Sequence, residues 1–379
     1  MKHESNLRKI SFCKKCLTPS SRPRIQFDDE GICNACRYSE EKTKIDWSAR
    51  KDEFLSLISP LRERAERGDY SCVVPWSGGK DSSTVAFKLK FEFGLNPLLV
   101  TFSPMVPNEI GHHNREEMIK LGFDHIYFRA NQKVHRYLAR RFFIERGNPK
   151  VAWDAGVNVI PVQVAVAYDI PAVFYAEHGE SEYGGKILSL EHQRTRDFTE
   201  VLEQQVGDDP RNWEDDFVSA KDLNPYVYPS MDRVQATGVK AYYFGYFNRW
   251  SMYENYLYIK DKIDFRTNTK GRTDGTFTDY DSLDDKIDNV YYYMQFIKFG
   301  FGRTIRDASR LIQNGHMTRQ EGLELVRKYD DEFCYEHFDK SLSYLNLTRD
   351  EFNKIVDQHR NSEVWKKEGS RWILRNPPY

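Results

Sequence analysis

Between residues 72 and 250, short apolar runs alternate with stretches whose apolar positions recur every three or four residues. The runs at 72–76, 98–102, 125–129 and 171–176, with a weaker one at 240–244, have the length and side-chain types of buried strands. Between them, residues 83–93 put Val85, Ala86, Leu89 and Phe93 on one side of a helix. Residues 113–121 form a second helical pattern closed by Gly122, and 159–168 a third. This strand, helix, strand rhythm predicts an α/β fold: a parallel sheet with helices on both faces, binding ligands at the carboxyl ends of its strands. Upstream, residues 47–67 carry Phe54, Leu57, Ile58 and Leu61 at helical spacing and stop at Gly68, which predicts a connecting helix. Beyond about residue 250 the strand signals stop. Helices are predicted there over 284–298, 304–314, 318–328, 330–345 and 349–360, two of them opened by capping boxes, Thr318 with Glu321 and Thr348 with Glu351.

Composition adds exclusions. A chain of 379 residues holds two domains or one large core with an appendage. Its 56 Lys+Arg against 57 Asp+Glu leave a formal charge of −1, so no global attraction to nucleic acid or to an anionic membrane is expected. The most apolar window, 157–176, is cut by Pro161, Gln163, Asp169 and Pro171 into a helix-sized and a strand-sized piece, not a membrane span. Residues 1–10 are charged and lack the apolar core of a secretion signal, which points to the cytoplasm. Cysteines in that compartment are thiols or metal ligands.

Four of the six cysteines form two Cys-x2-Cys pairs, Cys13 with Cys16 and Cys33 with Cys36, sixteen residues apart. Each pair makes a tight turn that aims two thiolates at one point, and four complete a tetrahedron with no open position. A structural zinc ion is expected, stapling a segment too short for a core of its own. The organisation then reads as a zinc knuckle over 1–45, a connecting helix over 46–70, a nucleotide domain over 71–250 and a helical substrate or partner region over 251–379.

The stretch "PWSGGKDSS", residues 75–83, joins the first strand to the first helix. Gly78 and Gly79 allow a backbone path that turns successive N–H groups toward an anion, and the helix N-terminus adds partial positive charge. Lys80 adds a full charge, and Ser77, Ser82 and Ser83 add hydroxyls. The spacing is not that of the common P-loop. Ser77-Gly78-Gly79-Lys80-Asp81-Ser82 instead resembles the SGGxDS loop of the PP-loop ATP pyrophosphatases. The resemblance implies a loop that grips the pyrophosphate end of ATP while the α-phosphate is attacked, with Lys80 and Asp81 as catalytic residues.

After the fourth strand, "EHGESEYGG", residues 177–185, resembles the acidic Gly-rich segment of asparagine synthetase. Carboxylates beside a triphosphate need a cation between them, so Asp81, Glu180 and Glu182 are candidate Mg2+ ligands. By position in the family, Thr101, Phe102 and Ser103 would cradle adenine, and Gly179, Gly184 and Gly185 would lie at the nucleotide. The competing reading of this stretch is a solvated acidic loop.

An adenylated intermediate needs a nucleophile. Outside the knuckle only Cys72 and Cys334 remain; Cys72 opens a buried strand, so sulfur transfer is disfavoured. Neither cysteine sits in a Gly-x-Cys-x-Gly elbow and residue 2 is lysine, so glutamine-derived ammonia would need a second protein. The knuckle, the SGGKDS loop, the acidic segment ending Glu-Tyr-Gly-Gly and a tail containing "GFGRTIRDASRLIQNGHMTR" together resemble the N-acetyl sugar amidotransferases of bacterial surface-polysaccharide synthesis. That resemblance spans nearly the whole chain. It implies ATP-dependent conversion of an acetamido group on a sugar or nucleotide sugar into an acetamidino group, for lipopolysaccharide O-antigen, capsule or flagellar glycan. It also implies a partner glutaminase like that of histidine biosynthesis and a cyclase-like partner. No nucleic-acid or membrane partner is expected, and a homodimer is compatible with the chain. Substrate anions call for cations, and Arg303, Arg306 and Arg272 are the candidates; His112 and His113 read as capping or surface residues. Two other readings compete: a PP-loop tRNA-modifying enzyme of thiolation or lysidine type, and a non-catalytic nucleotide-binding scaffold.

Overall fold

The computed structural model describes residues 9–187, 189–197 and 206–379. Most of the charged N-terminal stretch read above as lacking a secretion signal, residues 1–8, lies outside the described residues.

Five strands form one parallel sheet in the order β3-β2-β1-β4-β5: β1 (Cys72–Pro75), β2 (Pro97–Phe102), β3 (His125–Phe128), β4 (Ala172–Tyr175) and β5 (Lys240–Tyr243). All five are the strands the apolar runs predict. In chain order the helices around them are α1 (Asn34–Lys42), α2 (Trp47–Glu66), α3 (Lys80–Phe87), α4 (Glu109–Lys120), α5 (Gln132–Arg146), α6 (Val151–Ala167), α7 (Gly179–Tyr183) and α8 (Leu190–Arg194). The sheet residues alternate between two cores. Val73, Val100, Phe102 and Val173 pack with α5 and α6 on one face. Cys72, Val74, Leu99 and Phe174 pack with α2, α3 and α4 on the other, where Val85, Ala86, Leu89 and Phe93 are buried as their spacing predicts. The connecting helix begins at Asp46, whose carboxylate accepts from the Ser48 and Ala49 N–H groups at 3.0 Å each.

Four expectations need correction. Helix α6 starts at Val151 and runs through Pro161, eight residues before the predicted start; it is buried on most sides, so its first half carries no amphipathic stripe. Helix α5 is an addition, delimited by an Asn131 cap and by Gly147 in the left-handed region. The helix predicted over 330–345 is confined to Phe338–Leu345. Residues 330–337 are claimed by tertiary contacts: the Asp330 carboxylate accepts from the Gly302 and Ile305 N–H groups at 2.8 Å each, and Glu332 pairs with Arg272. Finally, strand structure resumes at the C-terminus as an antiparallel hairpin, β6 (Trp365–Glu368) with β7 (Arg371–Leu374), turning at Gly369. Both predicted capping boxes are present, ahead of Arg319–Tyr329 and Arg349–Gln358. Among the described residues, no helix is long and apolar enough to cross a membrane.

The cysteine knuckle is not a free appendage. The Leu17 N–H donates to Ser309 Oγ at 3.2 Å, Arg319 Nε to the Cys16 carbonyl at 3.1 Å, and Arg22 Nη1 to the Tyr183 carbonyl at 2.7 Å. It thus joins the acidic segment after β4 to the C-terminal helices.

Candidate functional site

The loop between β1 and α3 turns at Gly78, whose φ is +87°; a Cβ there would lie 2.5 Å from Arg115 Cγ, so glycine is required on both counts. Arg115 Nη1 donates to the Ser77 carbonyl at 3.1 Å, and the Gly79 N–H donates to Ser77 Oγ at 3.1 Å. Gly79 is the N-cap of α3 with no side-chain cap. The first N–H groups of the helix therefore face the loop's concavity, an arrangement that suits phosphate. Trp76, which had no role in the sequence reading, closes the turn: its Nε1 donates to Ser83 Oγ at 2.9 Å and its ring meets His125 edge-on.

Lys80 is 2% exposed and its ammonium lies 2.9 Å from Asp81 Oδ2 and 2.8 Å from Asp281 Oδ1. Burial works against the charge, but the two carboxylates outweigh it and raise the lysine's proton affinity, so it stays cationic. Asp281 in turn receives Arg306 Nη2 at 3.0 Å, and Arg303 Nη2 donates to its carbonyl at 2.7 Å. Against the upward push of burial, Lys80, Arg306 and Arg303 hold the Asp281 carboxyl well below the usual carboxylate range. Asn255 Nδ2 fixes Asp81 from the other side, at 3.0 Å.

The acidic segment divides. Glu182 forms a buried ion pair with Lys42 of the knuckle helix at 2.7 Å. Glu180 pairs with Arg24 at 3.1 Å and accepts from the Lys186 N–H at 2.8 Å. Gly184 and Gly185 pack on the knuckle: a Cβ on Gly184 would strike Ile25, and the Gly185 carbonyl accepts from Asn34 Nδ2 at 2.8 Å. Gly179 opens α7. Glu177 is half-buried, and desolvation and then the charge of Asp81 raise its proton affinity. Tyr183 OH donates to it at 2.7 Å. At the end of β2, Thr101 donates to the Trp76 carbonyl, Ser103 hydrogen-bonds Tyr127 OH at 3.0 Å, and the Phe102 ring packs against Gly156 inside the core.

The three candidate arginines separate as well. Arg272 is held by both oxygens of Glu332, at 2.7 and 2.8 Å, and Arg303 is 1% exposed beneath its helix. Arg306 lines a cavity of about 280 Å³ with Arg310 of the same helix, Arg22 of the knuckle, and Tyr183, Tyr291 and Tyr292. Asp281 therefore stands between the loop lysine and this cavity.

The four knuckle cysteines are buried, and their sulfurs lie within 4.8 Å of one another. The Cys16 and Cys33 N–H groups point at Cys13 Sγ at 3.5 and 3.2 Å, and the Thr18 N–H at Cys16 Sγ at 3.4 Å. Four clustered soft donors, two of them receiving backbone N–H groups, fit a tetrahedral thiolate site able to bind a zinc ion. Cys72 and Cys334 are single buried thiols, and burial pushes Cys72 up to about 12. Neither is poised as a nucleophile.

Comparison with known proteins bears on the C-terminal part. Residues 274–376 match the family described as LPS biosynthesis protein WbpG-like, C-terminal domain. The match supports the resemblance to the N-acetyl sugar amidotransferases over that segment. The matched segment supplies Asp281, Tyr291, Tyr292, Arg306 and Arg310, whereas Arg22 and Tyr183 come from outside it. The uncharacterized protein MJ1599 of Methanocaldococcus jannaschii is 33% identical over 89 residues, which is 23% of this chain and 31% of that protein. The chain thus spans about a third of the length of this curated relative. A solved structure from the same organism, described as a predicted subunit of tRNA methyltransferase, is 20% identical and covers 40% of this chain and 73% of its own. Its TM-score of 0.23 bears on neither fold nor function.

The sequence reading did not single out Asp281, Asn255, Glu177, Arg22 or Arg310. Glu177 had a signal, being the first acidic residue after a strand. Asp281 lies in a polar run without periodicity and acquires its place only when that run is folded over the loop.

Proposed function

We propose that the chain is an ATP-dependent amidotransferase that converts the acetamido group of an N-acetylated sugar into an acetamidino group, in the cytoplasm, for surface polysaccharide. The observation that carries this reading is the junction of two sites: a glycine loop with a buried lysine at the carboxyl end of β1, tied through Asp281 to an arginine- and tyrosine-lined cavity. One site suits a polyphosphate and the other a polar, hydroxyl-rich ligand.

The amide oxygen attacks the α-phosphorus of ATP and pyrophosphate leaves. Ammonia then adds to the activated carbon, gives up protons and expels AMP, leaving the amidine. Lys80 and the first N–H groups of α3 stabilise charge accumulating on the phosphates. Magnesium, when bound with ATP, would offset further phosphate charge, and Asp81 is the loop carboxylate that would hold it. Glu177 would accept a proton from the incoming ammonia, a role supported by its raised proton affinity and its bond from Tyr183. No protein nucleophile is needed, in keeping with two inert thiols. Ammonia would be delivered by a separate glutaminase, with a cyclase-like partner.

The test is release of AMP and pyrophosphate from ATP with ammonium and N-acetyl sugars, with mass spectrometry of the sugar. Release is expected only with sugar present, and Lys80→Met should lower it by about 100-fold or more with the fold retained. Release that is independent of sugar, or unaffected by Lys80→Met, would count against the reading.

A further inference from the structure

The helix Asp288–Phe299 separates two cavities. Tyr291 and Tyr292 line the arginine cavity described above; Tyr293, Phe296 and Ile297 line another, of about 570 Å³, closed by Val326 and Arg327 and by the β6–β7 hairpin. Its volume falls in the range of about 300–1,000 Å³ that takes a whole small molecule. No residue of the 75–83 loop lines it, so the reaction proposed above leaves it without a ligand.

Flat rings and guanidinium groups share its wall. The Arg360 guanidinium lies over the Trp365 ring at 4.9 Å and the Trp372 ring at 5.4 Å, and its Nε is held by Asp357 at 2.9 Å, so the stack stands without a ligand. Trp365 is buried, its Nε1 donating to the Ile297 carbonyl at 2.7 Å, whereas Trp372 is half-buried and keeps ring surface open. Arg327 and Arg371 are exposed, and neither pairs with a described carboxylate; Arg327 lies over the Tyr379 ring at 5.1 Å. Of the two acidic residues in the wall, Asp330 is taken up by the Gly302 and Ile305 N–H groups, and burial pushes its carboxyl up to about 7. The wall therefore offers more positive than negative charge. A neutral sugar would leave both exposed arginines without an anion, and inorganic phosphate would leave the indole unused. A nucleotide uses both, since a base stacks on an aromatic face and a phosphate fits the guanidinium fork.

We propose that this cavity is a second nucleotide site, set apart from the loop, in which a base stacks on Trp372 and its phosphate is held by Arg327 and Arg371. Its place in the fold suits an effector. Asp330 lines it, and the Asp330 carboxylate caps the first turn of Arg303–Gln313, the helix that carries Arg306 and Arg310. An occupant therefore sits against the residue that fixes the start of that helix. The inference does not depend on the amidotransferase reading.

Calorimetry on the full chain can test this with AMP, UMP and CMP, their nucleosides, inorganic phosphate and N-acetylglucosamine. The Lys80→Met chain is measured beside the wild type, so that binding at the loop is weakened. At least one nucleotide should bind the Lys80→Met chain more tightly than its nucleoside or phosphate alone. Adding Trp372→Ala should weaken that nucleotide by roughly tenfold or more, and Trp372→Phe should recover part of the loss. Arg371→Gln, at an exposed side chain, should weaken the nucleotide and leave the nucleoside unchanged. Melting curves check that each variant is folded. Hydrogen exchange over residues 303–313 should slow when the nucleotide saturates the chain. No binding of any of the three nucleotides, binding indifferent to Trp372→Ala, or N-acetylglucosamine bound as tightly as the nucleotide would overturn the proposal. Unchanged exchange over 303–313 at saturation would overturn the effector role.

Discussion

Asp281→Asn takes one negative charge from between Lys80 and Arg306, cations 2.8 and 3.0 Å away, while keeping the side chain's shape. Lys80 retains Asp81, but among the described carboxylates Arg306 keeps the more distant Asp307 alone. Breaking a buried pair by removing one partner costs about 3–5 kcal/mol, because the remaining cation is left in low dielectric. At about 2.1 cal/mol/K per residue, 379 residues unfolding as one unit have an entropy near 0.8 kcal/mol/K, so the melting temperature should fall by about 4–6 °C. The loss also has a pH signature. Asp281 is held below the usual carboxylate range in the folded protein, so its contribution is complete above the unfolded value of about 3.9 and is lost as pH falls through the folded value. The gap between wild type and variant should be full at pH 7 and narrow below about pH 4. Calorimetric melts across that range would measure it. Combining the change with Lys80→Met should give a double variant less destabilised than the two singles summed, since each removes part of one network. A shift under about 1 °C at pH 7, or a gap that persists unchanged at pH 3, would refute the assignment of Asp281 as the charge that holds loop and cavity together.

Gly78→Ala should cost about 1–3 kcal/mol and weaken ATP binding, because alanine disfavours the φ of +87° and its methyl would meet Arg115; an unchanged melt and ATP affinity would show that the loop relaxes freely. Cys36→Ser should abolish binding of one zinc per chain, measured by atomic absorption, and lower the melting temperature, since the knuckle bonds Ser309, Arg319 and Tyr183. Full zinc occupancy in that variant would exclude a four-cysteine site.

The five strands, the glycine pair ahead of α3 and the clustering of four cysteines were legible in the residues alone. Those signals are local: apolar runs, a glycine pair ahead of a helix, and two Cys-x2-Cys turns act over fewer than ten residues each, where spacing dictates geometry. Local signals failed where burial or tertiary partners took over. Helix α6, apolar nearly all round, hid its first half, and residues 330–337 gave up helix to let Asp330 cap Gly302 and Ile305. The candidate site shows the same division. Lys80 and Asp81 were legible, as was Arg306, but spacing could not tell Arg306 from Arg303 and Arg272, which serve as internal supports. Nor could it separate Glu177 from Glu180 and Glu182, whose charges are taken up by Arg24 and Lys42 of the knuckle region. Only the tertiary structure decided which charges are spent on one another and which face the cavity, because ion pairing at 3 Å joins residues such as Lys80 and Asp281 that stand 201 positions apart.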